Sequence, residues 1–367
     1  MARGWLSIVL SCAACGFHAS GSSTPGDDQP RIDAPGPEAW LPGFAARKPI
    51  DLAGGSVQLI DFVASITEAA DADLAGAPAL AFTAADGTTP LPSEIVAFDQ
   101  ATGALDAWVA VTLAASAPTR LYLYFGDGPA PNVASPWSSA FAGVWHMTAS
   151  GTANDTTRDS KAAHDAIASV TQIPAVAAGM AGAARDYDGI NDKLSVADPA
   201  DGSLDVGSRS FSVGLWVNVT SSAGPFDMPF FKGGSSAGNP GFDYELGTNT
   251  WLVGLSDGAQ NPILAPFGLE TALLGAWHHL VVTCDRTTNT IQTFVDAVPV
   301  TTVGFTRGSF DSPYDVDFGN GTYKFKGVLD EVRLYTVALP AAWVAAEYAN
   351  LAERAVFVQV RAPQRLP

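Results

Sequence analysis

The stretch Phe211–Val219 constrains the fold of this chain more than any other feature. Five apolar side chains alternate along it with Ser, Gly, Trp and Asn, so every second residue points to the same face. Strict alternation of this kind is typical of a β-strand that turns one face toward a hydrophobic core. The pattern therefore predicts a sheet with one strongly apolar side.

More strands with short connections follow in the C-terminal half. They are residues 277–285, 291–295, 298–303 and 325–335. Asp296 and Ala297 stand where a hairpin turn is expected, so these strands should form an antiparallel meander. Val344, Tyr348 and Leu351 share one side of a short amphipathic helix, which is expected to pack on the sandwich.

These strands carry a family resemblance over residues 141–352. The matching blocks are Val144-Trp145-His146, residues 187–192, residues 211–217, residues 276–279, Phe294-Val295-Asp296 and residues 327–335. Together and in this order they resemble the LamG-like jelly roll of the concanavalin A-like lectin/glucanase superfamily. The resemblance implies an all-β fold in which the C-terminal domain is an antiparallel jelly roll.

A second β-sandwich is expected in residues 43–128, where short apolar runs alternate with turn residues. Residues 47–50, 91–95 and 121–126 are similar to the bacterial domain of unknown function DUF2341, a family with no agreed activity. A Pro-rich linker, residues 129–140, separates the two antiparallel sandwiches. Residues 353–367 are expected to form a C-terminal tail.

The first 15 residues have the features of an export segment, with a short apolar run that ends in small residues and cysteine. They resemble a bacterial lipoprotein signal, which implies lipidation of Cys15 or, almost equally well, of Cys12. An ordinary cleaved secretory signal is the alternative. Residues 16–42 are rich in Gly, Ser, Pro and Asp and predict a disordered tether. The expected location is the bacterial outer membrane or cell surface, with the membrane reached only through a lipid anchor.

Net charge narrows the class of partner, and the cysteine count limits disulfide bonding. The formal net charge is −18, and an acidic surface repels nucleic acid and anionic lipid. Beyond the export segment the sequence has one cysteine, Cys284, so no intrachain disulfide is expected. Cys284 is expected to be a small core residue.

A calcium site is one interpretation of the acidic residues near the last strand. Asp188, Asn191 and Asp192 form an oxygen-rich turn, and alternation directs Asp330 inward. Calcium takes several hard oxygen ligands of this type. The alternative is a hydrogen-bonded turn, with Asp330 paired to Arg185 or Arg333.

The sequence contains no complete catalytic motif. The Glu-x-Asp-x-Glu spacing of jelly-roll glycosidases is absent, and Asp243-Tyr244-Glu245 is only a partial match. Neighbouring His278 and His279 should face opposite ways, which disfavours a shared metal. Four aromatic residues are candidates for stacking on a sugar or, alternatively, for the core: Phe226, Phe230, Tyr244 and Trp251.

These observations favour a non-catalytic envelope protein that binds a polysaccharide or a protein partner through the jelly roll. A structural or assembly component of an envelope complex is the alternative from another class. A glycoside hydrolase with an unusual carboxylate pair is a third hypothesis, which two acids facing one groove would support.

Overall fold

Strands account for nearly all of the regular structure, as the alternating patterns predict. The structure is a computed structural model, and it describes residues 39–150, 155–161, 163–222, 226–234 and 236–367. The expected lipidation sites Cys12 and Cys15, and most of the expected tether, lie outside the described residues. Ala39–Pro367 forms one compact unit.

Two small sheets build the first sandwich. Its strands are β1 (Ala46–Leu52), β2 (Leu59–Glu68), β3 (Ala79–Ala84), β4 (Ser93–Asp99), β5 (Ala104–Leu113) and β6 (Thr119–Gly126). Sheet A contains β1, β6 and β3 in that order, and sheet B has the order β2-β5-β4. The apolar faces of the two sheets enclose one hydrophobic core.

Two larger antiparallel sheets build the second sandwich. Its strands are β7 (Phe141–Trp145), β8 (Thr156–Thr157), β9 (Ala166–Ile167), β10 (Ala175–Ala178), β11 (Ala183–Asp188), β12 (Leu194–Val196), β13 (Phe211–Val219), β14 (Phe230–Lys232), β15 (Gly241–Leu246), β16 (Thr250–Ser256), β17 (Ile263–Leu269), β18 (Trp277–Asp285), β19 (Thr290–Val295), β20 (Val298–Gly304), β21 (Val316–Phe318) and β22 (Lys326–Tyr335). A 3₁₀ turn, Glu270–Ala272, follows β17. Sheet C has the order β10-β11-β22-β13-β18-β19-β20, with β7 also on β22, and sheet D has the order β17-β16-β15-β14-β21-β12-β9-β8.

Strand β13 shows why this sequence forms the second sandwich. All five of its alternating apolar residues, from Phe211 to Val219, lie in the core between sheets C and D. Cys284 on the neighbouring strand β18 lies in the same core, as predicted. The opposite face of β13 is also buried, because Trp216 is only 2% exposed. Alternation therefore identified the core face correctly, but it gave no indication that the other face is covered.

The cover of sheet C is the first sandwich together with helix α1 (Ala341–Ala352). One hydrophobic cluster joins them and includes Val63 and Trp108 from sheet B, Trp216 and Val281 from sheet C, and Val344 and Leu351 from α1. Tyr348 of α1 stacks on Trp216, with 5.7 Å between ring centroids. Within the described chain no helix is both long and apolar enough to cross a membrane.

The chain end returns to the first sandwich. Helix α2 (Arg354–Phe357) leads into β23 (Val358–Val360) and β24 (Gln364–Arg365), and both strands pair antiparallel with β1. Phe357 is 4% exposed and lies in the core between sheets A and B. Residues 353–367, expected from the sequence as a tail, thus complete sheet A.

A buried charge network connects the two sandwiches. His146 Nδ1 lies 2.7 Å from Glu331 Oε1, and Arg333 donates hydrogen bonds to Glu331 (2.8 Å) and Glu347 (2.9 Å). The Arg333 guanidinium lies 4.4 Å from the ring centroid of Trp108, which also stacks on His146. The network therefore joins β22, α1 and β5 across the interface.

Glu94 of β4 extends this network to the linker. It accepts hydrogen bonds from Trp137 Nε1 (2.6 Å) and Ser160 Oγ (2.9 Å), and it lies 3.8 Å from His146 Nε2. Burial alone would raise the pKa of Glu94, but His146 holds it below its ordinary value. Sheet B is thus tied to the jelly roll by charge as well as by apolar contact.

Asn350 fixes α1 on sheet B, and we expect Asn350→Ala to lower the free energy of unfolding by about 2 kcal/mol. Its side chain accepts a hydrogen bond from Ser65 N (2.7 Å) and donates one to Ser65 O (3.2 Å), and all of these atoms are buried. Truncation would leave two main-chain groups without partners. Urea unfolding measures the change. Glu353→Ala is the control, because Glu353 is exposed at the end of the same helix, and a change of similar size there would contradict this assignment.

Candidate functional site

A groove of about 400 Å³ lies on the outer face of sheet D. Strands β14 and β15 place its floor by alternation, because Phe242 and Tyr244 enter the core. Phe231, Asp243 and Glu245 therefore lie on the outer side of the sheet and line the groove. Asp243 and Glu245 are only 0% and 4% exposed, so their carboxyl groups are buried in the floor. The two carboxyl groups are two residues apart on one strand, so they share a face.

Two aromatic rings form part of the rim. Phe226 and Tyr323 are 48% and 41% exposed, and their ring centroids lie 6.2 Å apart in an edge-to-face arrangement. Phe226 has a φ of 66°, which is uncommon for a residue with a Cβ. Main-chain hydrogen bonds from Phe226 N to Leu246 O and from Leu246 N to Asp227 O hold it there. The fold thus presents an apolar ring to solvent in a fixed position.

Asn239 supplies an amide to the groove, and Tyr314 fixes its orientation. Tyr314 donates a hydrogen bond to Asn239 Oδ1 (2.6 Å), and its ring packs edge-on against Phe231, with 5.9 Å between centroids. The Asn239 amide nitrogen, which is a donor, lies beside Gly234 of the groove lining, because a Cβ at Gly234 would be 3.2 Å from Nδ2. The groove therefore combines flat apolar rings with amide and carboxylate groups.

The predicted aromatic contacts are found in two environments. Phe226 lines the groove. Phe230, Tyr244 and Trp251 are 0%, 0% and 1% exposed and belong to the core between sheets C and D. Tyr244 donates its hydroxyl to Val213 O (2.7 Å), so it bridges the two sheets. These three residues are unavailable to a ligand.

The residues predicted to bind calcium lie in two separate places. Asp188, Asn191 and Asp192 share a turn after β11, in which Asp192 Oδ2 accepts a hydrogen bond from Asp188 N (2.9 Å) and Asn191 Nδ2 donates to Thr171 O (2.7 Å). Asp188 pairs across the ladder with Lys326, four residues before Asp330 on β22. Four residues of a strand span about 13 Å. Asp330 is therefore remote from the turn.

Main-chain groups satisfy Asp330. Its Oδ2 atom accepts hydrogen bonds from Met180 N (2.7 Å) and Ala181 N (3.0 Å), and burial raises its pKa well above the ordinary value. Among the residues that the structure describes, no group of three or more His, Cys, Asp or Glu side chains is arranged to hold a metal ion. The four predicted ligands do not form one cage, and calcium binding stays a prediction.

The expected face of Asp330 was wrong. Simple alternation directs Asp330 to the same face as Val332 and Glu331 to the other face. The pairing of β22 with β13 shifts register between Gly214 and Trp216, and Glu331 has a φ of 49°. This β-bulge puts both carboxylates on the face toward the first sandwich, while Val332 enters the core.

The histidines within residues 39–367 have structural roles. His278 Nδ1 lies 2.7 Å from Asp296 Oδ2, and His164 Nε2 lies 2.8 Å from Ser203 Oγ. His279 stacks on Trp216 at 4.9 Å, and burial lowers its pKa to about 3. His278 and His279 therefore face opposite sides of β18, as their adjacency predicts.

Sequence reasoning missed most of the groove. Phe231 lies within strand β14, and Asn239 and Tyr323 lie in two separate connections. None of the three was predicted as a site residue. The usable indications were Phe226 as a candidate for stacking on a sugar and the Asp243-x-Glu245 spacing, because residues two apart on a strand share a face. Asn239 and Tyr323 lie in connections whose course the sequence does not determine.

Residues 188–345 match the family model of the concanavalin A-like lectin/glucanases superfamily, of the laminin G type. The predicted concanavalin A-like jelly roll in the C-terminal part is thereby confirmed, as is the all-β class. No curated protein matches the whole chain or part of it.

Several solved structures are similar in fold. The binding domain of Paraclostridial Mosquitocidal Protein 1 is 13% identical, with a TM-score of 0.46 over 57% of this chain and 51% of that one. The binding domain of Botulinum neurotoxin DC is 10% identical in its complex with SialylT, with a TM-score of 0.43 over 58% and 52%. The same domain in complex with rat synaptotagmin II is 11% identical, with a TM-score of 0.42 over 58% of this chain and 52% of that one. This chain spans about half the length of these proteins, and similarity of this extent identifies no ligand.

Proposed function

We propose that this protein is a non-catalytic binding protein of the bacterial envelope that recognises carbohydrate through the groove on sheet D. One observation carries the proposal: the groove brings two exposed aromatic rings beside an amide, with two buried carboxyl groups in the sheet beneath them. Sugar rings present apolar C–H faces and hydroxyl edges, and sites of this composition match both.

The position of the groove adds support. The central strands of sheet C are covered by the first sandwich and α1, because Trp216, Val281 and Tyr335 are at most 2% exposed. The outer face of sheet D carries no such cover over Phe226 and Tyr323. The jelly roll therefore offers the face of sheet D to a ligand of extended shape.

Removal of a rim ring should weaken saccharide binding. We expect Phe226→Ala and Tyr323→Ala each to reduce affinity about tenfold, the loss that follows from removing one buried apolar contact. The probes are neutral, amino and acidic oligosaccharides added to the full-length chain. Methyl-labelled methionine reports the position, because Met228 lines this groove whereas Met147 lies in the core. Saccharide should shift the Met228 resonance and leave Met147 unchanged.

Leu269→Ala is the matched control, because Leu269 is 63% exposed at the end of β17 and does not line the groove. Saccharide binding that survives both aromatic substitutions would refute the groove as the site. If no saccharide shifts the Met228 resonance but a protein partner does, the result would favour a protein-binding or assembly role over carbohydrate binding.

Hydrolysis is the second candidate function, and one observation favours it. Asp243 and Glu245 face the same groove, and residues two apart on a strand have Cα atoms about 7 Å apart. Paired carboxylates are the minimum for glycoside hydrolysis. We nevertheless propose binding without turnover, so a bound oligosaccharide should stay intact on prolonged incubation. Release of reducing ends that Glu245→Gln abolishes would establish the enzyme instead.

Anchoring and location complete the proposal. The export segment, the tether and lipidation of Cys15 or Cys12 would hold the protein at the outer membrane or cell surface. Fatty-acid labelling of the chain and of its Cys15→Ser and Cys12→Ser variants tests the anchor. The resemblance of residues 43–128 to DUF2341 stays a prediction.

Calcium binding is tested by comparing the unfolding midpoint in calcium with that in EDTA. A higher midpoint in calcium, lost in Asp192→Asn, would indicate an ion at the turn. Equal midpoints would indicate that the turn is structural.

A further inference from the structure

A second groove, of about 550 Å³, lies at the seam of the two sandwiches. The ends of β2, β4 and β5 line it from the first sandwich, and the turn between β10 and β11 lines it from the jelly roll. Arg354 of α2 closes one side. Three parts of the chain that are distant in sequence therefore build this seam groove.

Asp106 of β5 lies on the wall of the seam groove. The residue is 8% exposed, and its Oδ1 atom meets no hydrogen-bond partner among the described residues. Gly182 leaves room for the carboxyl group, because a Cβ there would lie 2.6 Å from Asp106 Oδ2. Buried carboxyl groups ordinarily have partners, since burial of one without them is costly. Asp106 is thus a group that a ligand would satisfy.

The electrostatics around Asp106 favour a positive partner. Burial, and then Glu331, raise its pKa to about 6, with Glu94 acting in the same direction and His146 and Arg354 opposing it. The carboxyl group is therefore mostly ionised at neutral pH although it is buried. An ammonium group would stabilise that charge.

The rest of the seam groove is mainly apolar. Phe98, Leu105 and Met180 contribute to its walls. Arg354 faces the groove beside Glu68, and its guanidinium donates to Ser65 Oγ (3.1 Å). The carboxylates of Glu68, Asp99 and Asp106 outnumber this one cation along the lining. Apolar walls around one buried carboxyl group match an organic cation with an apolar body.

We propose that the seam groove binds a small organic ammonium ion with an apolar body, and that Asp106 holds the ammonium group. The apolar body packs between Phe98, Leu105 and Met180, and the charge points inward to Asp106. This site is separate from the saccharide groove and stands independently of it. A ligand here contacts both sandwiches at once, so its binding also stabilises their association.

Benzylamine is the probe, and benzyl alcohol is its uncharged counterpart of the same shape. On the full-length chain with methyl-labelled methionine, benzylamine should shift Met180, which lines the seam groove, and leave Met228 in the saccharide groove unchanged. Benzyl alcohol should bind roughly tenfold more weakly or worse, because it lacks the charge. Equal binding of the two probes would overturn the proposal.

Asp106→Asn tests the role of the carboxylate. The raised pKa of Asp106 means that its ionised form destabilises the fold above about pH 6, so the variant should have an unfolding midpoint no lower than the wild type near neutral pH. Its affinity for benzylamine should fall roughly tenfold or more. Wild-type affinity should also fall as the pH drops through about 6.

Asp61→Asn is the matched control, because it changes an exposed carboxylate of β2 that does not line the groove. Asp71 is unsuitable as a control because it pairs with Lys48. Benzylamine affinity that is unchanged in Asp106→Asn, or changed equally in Asp61→Asn, would refute the site. A Met180 shift that is independent of pH between about 5 and 7.5 would do the same.

Discussion

Replacing Arg333 by methionine should lower the free energy of unfolding by about 3–5 kcal/mol. Arg333 is 5% exposed and is the cation that Glu331 and Glu347 share. Without it, both carboxylates stay buried at the interface, and only His146 remains to compensate Glu331. Removal of one member of a buried charge network costs far more than the network contributes as a whole, because the desolvated partner charges are left behind.

Urea unfolding of the full-length chain measures the loss. Arg361→Met is the matched control, because the Arg361 side chain is 51% exposed in its ion pair with Asp51. An exposed pair of this kind contributes about 0–1 kcal/mol. Equal effects of the two substitutions would show that the interface network is solvated and that the two sandwiches are joined mainly by apolar contact.

The strand pattern was the part of the fold that the sequence determined well. In β13 each second residue enters the core, and the same rule held for Leu280, Val282 and Cys284 in β18. A period of two is a direct consequence of the pleat, so it can be read without knowledge of the neighbours. The blocks that resemble a LamG-like jelly roll also gave the correct architecture for residues 188–345.

Features that depend on contacts between distant segments were not predictable. The bulge at Glu331 moves Asp330 to the face that Glu331 occupies, and nothing in the local sequence marks it. The return of residues 353–367 to β1 depends on the position of an edge strand more than 300 residues earlier. Alternation also cannot distinguish a solvated face from one covered by another domain, which is why Trp216 and Glu331 were not expected at an interface.

The candidate sites follow the same division. Asp243 and Glu245 were noticed because their spacing is local, whereas Phe226 and Tyr323 meet only through the folding of two loops. Asp106 was not noticed at all, because a single carboxylate in an apolar strand carries no motif. Its significance comes from burial and from the turn at Gly182, which belongs to the other sandwich.

The interface should also make stability depend on pH through His146. Burial alone would lower the pKa of His146, but Glu331 and Glu94 raise it to about 10 from an ordinary value of 6.5. Because the folded state holds this proton more tightly, the contribution is fully present below about pH 6.5 and is lost as the pH rises through about 10. The difference between the two pKa values corresponds to roughly 3–5 kcal/mol of folding stability, lost over this whole pH range.

Between about pH 7 and about pH 9 the free energy of unfolding should therefore fall by about 2–3 kcal/mol. This range stops at 9.0, the ordinary pKa of a thiol. Burial raises the pKa of Cys284 to about 12, so at higher pH ionisation of this thiol in the unfolded chain would add a loss of its own. Urea unfolding at several pH values measures the slope, and His146→Gln should remove most of it. A wild-type slope that persists in His146→Gln would assign the pH dependence to another group, and a flat wild-type profile would mean that His146 is neutral at the interface.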